Sequence, residues 1–274
     1  IDTMYDLAFL LMDLLERDQR AAAWTVLDAY LDAVDDLDGL APLPFFMAVR
    51  ATIRAKVIGL GIEDLDADAD KVATARRYLA FARALEPAPA PRLVAIGGVS
   101  GTGKTTLAHA LAPAFDPAPG AVVLRSDVER KRLWGVAPTD TLPQEAYAPE
   151  VSHRVFERLR ARARRALAAG TSVVVDAVHG RAEERRDLEA VAGECGVRFD
   201  GLWLEAPVDR LVERVATRTG DASDADEAIV RRQLTRDTGP IHWRRVDAAV
   251  APEVLLERAR SALDLDGGAL AAVG

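Results

Sequence analysis

Residues 98–105 read GVSGTGKT, a spacing suited to the capture of a polyphosphate. Gly98, Gly101 and Gly103 let the backbone curl so that successive N–H groups converge on an anion, and a helix opening at Lys104 adds the positive end of its dipole. Every fixed position of G-x-x-x-x-G-K-[ST] is filled. Within it Lys104 would reach the β- and γ-phosphates of ATP, and the Thr105 hydroxyl would hold Mg²⁺. Ser100, Thr102 and Thr106 would complete the phosphate cradle.

Two later carboxylates fit the same chemistry. Asp127 follows the apolar run 121–125, where a strand end would face the loop; there it could take the proton of an acceptor hydroxyl, or serve only as the N-cap of the next helix. Arg130, one helical turn on, could hold the acceptor or the transferred phosphoryl. Asp176 ends the apolar run 173–175 and is the second expected Mg²⁺ residue, as well as the next candidate for the base. His179 and Arg181 follow and are expected near the acceptor pocket. Arg214 and Arg218 share one face of a predicted helix, ahead of a polar segment at 219–226 that reads as a mobile lid. Arg231 and Arg232 come after it. Arginines on such a lid neutralise charge developing on the γ-phosphoryl and exclude competing water.

The elements that must position these residues fall into two parts. Residues 2–86 carry apolar side chains at helical spacing, with breaks at 39–44 and 59–61 and a fourth helix expected over 68–85. The acidic run Asp35, Asp36 and Asp38 reads as a solvated helix end, because it lacks calcium-loop spacing. Residues 87–91, Pro-Ala-Pro-Ala-Pro, form a spacer and the expected boundary of a domain running from 92 to 274. Beyond it, strands at 93–97, 121–125, 172–176, 199–204 and 246–250 alternate with helices at 104–114, 149–169, 182–195, 207–218, 224–235 and 252–263. Such alternation predicts an α/β fold with a five-stranded parallel sheet covered on both faces, preceded by an all-α module.

Composition narrows the partners. The 274 residues carry a net charge of −8, and residues 1–90 hold 16 acidic and 9 basic side chains, which leaves the remainder nearly neutral. A nearly neutral domain argues against a broad nucleic-acid footprint. The lone Cys195 excludes an internal disulfide and a Cys-based metal site. The apolar stretch 7–15 carries Asp13 and is too short to cross a bilayer, so a cytoplasmic protein without a membrane partner is expected.

On GVSGTGKT at 98–105, Asp127 with Arg130, VVVDA at 173–177 and the pair Arg214 and Arg218, residues 92–263 resemble the small-molecule kinase branch of the P-loop NTPase fold. That group holds gluconate, shikimate and adenylate kinases, and also polynucleotide 5′-kinases and zeta-type toxins. The resemblance implies an ATP- and Mg²⁺-dependent kinase acting on a hydroxyl of a small polar metabolite, of the sugar or sugar-acid kind. It implies that Asp127 activates the acceptor while Arg130, Arg214 and Arg218 stabilise the transition state. A polynucleotide 5′-kinase and a nucleotide-hydrolysing switch are the alternatives. IDTMYDLAFLLMDL and PFFMAVRATIRAKV resemble the last helices of an aminoglycoside-phosphotransferase-like domain, a type found fused to such kinases. No nucleotide-binding lobe or HxD-type loop precedes them, so residues 1–86 are expected to be a helical remnant without activity of their own.

Overall fold

The structure, a computed structural model, describes residues 2–64, 68–85, 90–217 and 222–265. Four helices come first: α1 (Thr3–Glu16), α2 (Arg20–Val34), α3 (Leu43–Gly59) and α4 (Ala69–Ala84). The first is capped by the Asp2 carboxylate, which accepts from the Met4 N–H at 2.8 Å. The break before α3 holds Gly39 and Pro42 and the break after it Gly61, within the expected stretches, whereas the break between α1 and α2 at 17–19 contains neither proline nor glycine. Most of the expected 87–91 spacer lies outside the described residues.

The α/β part runs β1 (Arg92–Gly98), α5 (Lys104–Leu111), β2 (Val122–Arg125), α6 (Ser126–Trp134), α7 (Pro149–Ala168), β3 (Val173–Asp176), α8 (Ala182–Cys195), β4 (Arg198–Glu205), α9 (Val208–Ala216), α10 (Glu227–Leu234), β5 (Arg244–Asp247) and α11 (Pro252–Ala262). All strand pairs are parallel, in the order β2-β3-β1-β4-β5. The crossovers from β1 to β2 and from β3 to β4 therefore pass in opposite directions around β1 and β3. This reversal opens a crevice at the carboxyl ends of β1 and β3, where ligands bind in open α/β sheets.

Side-chain alternation explains the two covered faces. Leu93 and Ala95 of β1, with Val173 and Val175 of β3, pack toward α7 and α8. Val94, Ile96 and Val174 pack toward α5 and α11. The last strand lies two residues before the expected 246–250, because Val246 alone in it is buried and the apolar residues that follow belong to a loop. The helix expected over 104–114 stops at Leu111, and Pro113 sits in the short 3₁₀ turn Ala112–Ala114 that follows.

The first four helices share this core. Met4, Leu11, Leu27, Leu31 and Met47 join one contiguous apolar cluster with Leu93, Leu124 and Val173. Helix α2 lies beside β2, an edge strand whose open side would otherwise be a pairing hazard. Trp24, only 6 % exposed, donates from Nε1 to the Ala121 carbonyl at 2.8 Å and packs with Leu111 and Phe115. Arg20 donates to the Phe115 carbonyl at 2.5 Å and pairs with Asp116, and Arg132 of α6 pairs with Asp32 at 2.9 Å.

Trp24→Ala should therefore cost about 3–5 kcal/mol, as buried aromatic truncations do, and lower the urea midpoint of the whole chain. Trp24→Phe, which keeps most of the ring, should cost clearly less. Equilibrium urea unfolding checks both; a W24A midpoint equal to that of the unmodified protein would mean that α2 does not support the sheet.

Candidate active site

The loop between β1 and α5 is held open by its glycines. A Cβ at Gly98 (φ +135°) would lie 2.5 Å from the Leu204 carbonyl oxygen, and one at Gly101 (φ +89°) 2.7 Å from that of Leu211. Close approach to β4 and α9 thus demands glycine at both places. Gly103 (φ +87°) meets nothing within 4 Å and precedes the first turn of α5. Lys104 is 8 % exposed, and its ammonium donates to the Val99 carbonyl at 3.1 Å. The Thr102 hydroxyl is turned inward, donating to the same carbonyl at 2.8 Å, so its side chain braces the loop.

Thr105 and Asp176 meet although 71 residues separate them. The Thr105 hydroxyl donates to Asp176 Oδ2 at 2.5 Å. Arg125, at the end of β2, approaches both, with Nη2 3.5 Å from the hydroxyl and Nε 3.7 Å from the carboxylate. Sequence reasoning missed Arg125. A hydroxyl beside one carboxylate is a hard-oxygen pair, which suits Mg²⁺, an ion that takes few protein ligands and keeps phosphate oxygens and water. Among the described residues no three His, Cys, Asp or Glu side chains gather into another metal site.

In front of the loop lies a cavity of about 460 Å³. Asp127, Arg130, Asp176, Arg181 and Ser223 all line it, together with Lys104 and Thr105. The N-cap of α6 is Arg125, not Asp127. Asp127 instead sits in the first turn with the Ser223 hydroxyl hydrogen-bonded to it. Burial raises its pKa above the usual carboxylate range, and the Asp176 carboxylate adds to the rise. Arg130 is 7 % exposed, stacks over the Tyr147 ring at 4.9 Å, and donates to the Ala146 carbonyl at 2.6 Å. Desolvation lowers its pKa.

The remaining expectations fare unevenly. Arg214 donates to the Gly101 carbonyl at 3.3 Å and lines a second cavity, of about 310 Å³, behind the loop with Thr106, Val250 and Pro252. It is not among the residues around Asp127. Arg218 lies outside the described residues, as do residues 219–221 of the expected lid. His179 is fully buried behind the cavity wall, between Phe156 and Trp243, and only its neighbours Val178, Gly180 and Arg181 reach the cavity. Burial pushes its pKa down to about 3, which keeps it neutral.

The segment ahead of α10 is pinned rather than loose. The Lys131 ammonium, 1 % exposed, pairs with both oxygens of Asp224 at 2.8 and 2.9 Å, and the Tyr147 hydroxyl donates to Asp224 at 2.5 Å. Although burial opposes it, the Lys131 and Tyr147 contacts hold the Asp224 pKa below the usual value. Gln233 of α10 reaches the loop, where its side-chain carbonyl accepts from the Ser100 N–H at 2.8 Å. Spacing carries no signal for these long-range partners.

Residues 93–240, more than half of the chain, match the family described as AAA domain. The chain belongs to the AAA domain family. Uncharacterized proteins of Mycobacterium tuberculosis and Mycobacterium bovis are 30 % identical to it over 257 residues, covering 91 % of this chain and 50 % of theirs. It thus spans about half the length of the curated relatives it matches. Among solved structures, a sugar kinase from Janibacter is 23 % identical, covering 65 % of this chain and 96 % of that one, with a TM-score of 0.46. A gluconokinase from Sinorhizobium meliloti is 23 % identical over 64 % and 93 % of the two chains, with a TM-score of 0.43. The Mycobacterium tuberculosis APS kinase in complex with AMPPNP and APS is 20 % identical over 65 % and 98 %, with a TM-score of 0.44.

The helical part of this AAA domain protein also carries a titratable group beside Arg125. Asp28 of α2 shares a small cavity with Asp32, His109, Arg125, Arg132 and Arg162. Burial first, and then the Asp32 carboxylate, push its pKa up to about 7, against 3.8 for the exposed group. Between those values the folded state binds more protons than the unfolded state, so stability falls as pH rises. The loss should amount to about 1 kcal/mol between pH 6 and pH 8. Asp28→Asn should flatten this slope, seen as a smaller fall in urea midpoint over that range; an unchanged slope would contradict the assignment.

Proposed function

We propose that this chain is an ATP-dependent phosphotransferase that moves the γ-phosphoryl group to a hydroxyl of a small polar metabolite. The observation that carries the reading is the meeting of three groups from separate strand ends in one cavity: Lys104 after β1, Asp127 after β2 and Asp176 at the end of β3. Loop amides and Lys104 would hold the β- and γ-phosphates, with the Thr106 side of α5 and the cavity beside Arg214 and Pro252 left for the nucleoside. Thr105 and Asp176 would hold Mg²⁺, which when bound neutralises phosphate charge as the transfer proceeds.

The protein's own residues then account for the transfer. The acceptor hydroxyl gives its proton to Asp127 as its oxygen bonds to the γ-phosphorus. The bond from that phosphorus to the β,γ-bridging oxygen breaks, and ADP leaves with the electron pair. A carboxylate whose pKa is raised by burial is a stronger base than an exposed one, which suits this role. Arg130, buried beside it, donates to the acceptor or to the phosphoryl oxygens. Arg214, on α9, belongs to the nucleotide side in this reading. The four amino-terminal helices act as support for β2 and its strand-end residues. The nearly neutral charge of residues 91–274 favours a small acceptor over a polynucleotide.

Asp127→Asn separates transfer from binding. Nucleotide affinity, measured by titration with a non-hydrolysable ATP analogue, should change less than threefold, while single-turnover transfer should fall by about 10² to 10⁴, the usual contribution of a general base. Lys104→Ala should instead weaken both nucleotide binding and turnover. Undiminished transfer by D127N would overturn the role given to Asp127.

A further inference from the structure

The cavity in front of the loop gathers several guanidinium groups. Arg130, Arg181, Arg232 and Arg236 all line it. Among the described residues none of the four has a carboxylate oxygen within the 4.0 Å of an ion pair. Most arginines elsewhere on the fold do: Arg132, Arg158 and Arg162 converge on Glu129, and Arg165 reaches Asp35 and Asp38. The carboxylates on the same wall are already engaged. Asp224 is neutralised by the buried Lys131 ammonium, and Glu184 accepts from the Arg181 backbone N–H at 3.1 Å; burial raises its pKa, and the nearby Arg181, Arg236 and Arg185 charges offset part of that rise without forming an ion pair to it.

Two of the four cations divide from the phosphate loop by position. Arg232 adjoins Gln233, whose side chain touches the loop amide of Ser100, so Arg232 lies at the triphosphate end. Arg236, about one turn farther on, comes against the β3–α8 segment: a Cβ at Gly180 would lie 3.5 Å from its Nη1. Arg181 is the next residue. Across the cavity Arg130 spends Nη1 on the Ala146 carbonyl and the Ser152 hydroxyl, both neutral, and its buried Nε has no partner. A buried guanidinium with a donor left over is costly unless a ligand completes it.

We propose that the acceptor is a hydroxylated small molecule bearing an anionic group, a carboxylate or phosphate, held by Arg181 and Arg236 with Arg130 completing the contact. This rests on the phosphotransferase reading and narrows its substrate class. Guanidinium forks suit such oxyanions by bidentate geometry, and placing the anion at the Arg181 side directs a hydroxyl of the same molecule toward Asp127.

Inorganic phosphate is the probe that separates the two readings. With a saturating non-hydrolysable ATP analogue and Mg²⁺ already bound, calorimetric titration should detect phosphate binding to the full chain. Arg181→Gln combined with Arg236→Gln should weaken that binding tenfold or more and leave analogue affinity within twofold. In parallel, transfer from ATP should favour gluconate over glucose, and glycerate over glycerol, by tenfold or more in kcat/KM. No phosphate binding with the analogue in place, phosphate binding unaffected by the double variant, or equal use of neutral and anionic acceptors each overturns the proposal. Transfer to neutral acceptors alone would leave the phosphotransferase standing without its anionic substrate, whereas phosphate binding without any transfer would leave the anion site standing without the phosphotransferase.

Discussion

Everything in this site depends on a loop that cannot move far from β4 and α9. Gly98 and Gly101 bring backbone so close to the Leu204 and Leu211 carbonyls that a side chain at either position would collide with main chain. The curl of the loop is therefore imposed by packing, and its amide groups would meet an anion with little rearrangement. Pre-organisation of this kind spares the ordering cost at the moment of binding. The inward-turned Thr102 hydroxyl and the Thr105 contact with Asp176 extend the same constraint, tying the loop to itself and to β3.

Around this fixed loop the rest of the chain supplies walls of graded firmness. The sheet interior is apolar on both faces, and α2 closes its β2 edge through Trp24. Strand β2 ends in Arg125 and leads directly to Asp127, so the helical part would bear on the proposed transfer by holding that strand end in register. On the opposite wall, Lys131, Tyr147 and Asp224 form a buried polar knot that sets where the entrance to α10 begins. A fully desolvated lysine paired this closely makes the knot costly to break from one side.

Much of this was legible because the informative residues are local. The phosphate loop, the strand-end carboxylates Asp127 and Asp176, and the helices α1–α4 follow from spacing and periodicity within a few residues. The fifth strand was misplaced by two residues because it lies at an edge, where Arg244 and Arg245 are exposed and only Val246 carries the apolar signal. Arg125, Lys131, Tyr147, Asp224 and Gln233 were not found, since each acts through a partner distant in sequence. His179 was expected near the acceptor, but a positive φ of 50° and packing against Trp243 turn it into the core. No local pattern announces that reversal.

The central claim is that the cavity passes phosphate to a hydroxyl rather than to water, and the fate of solvent oxygen decides it. The protein would be incubated with Mg·ATP and a mixture of sugars, sugar acids and their phosphates in ¹⁸O-enriched water, with products resolved by mass spectrometry. The account predicts an organic phosphate monoester whose phosphoryl group carries no solvent ¹⁸O, formed in step with ADP. Inorganic phosphate bearing one solvent ¹⁸O as the sole product of ATP would contradict it.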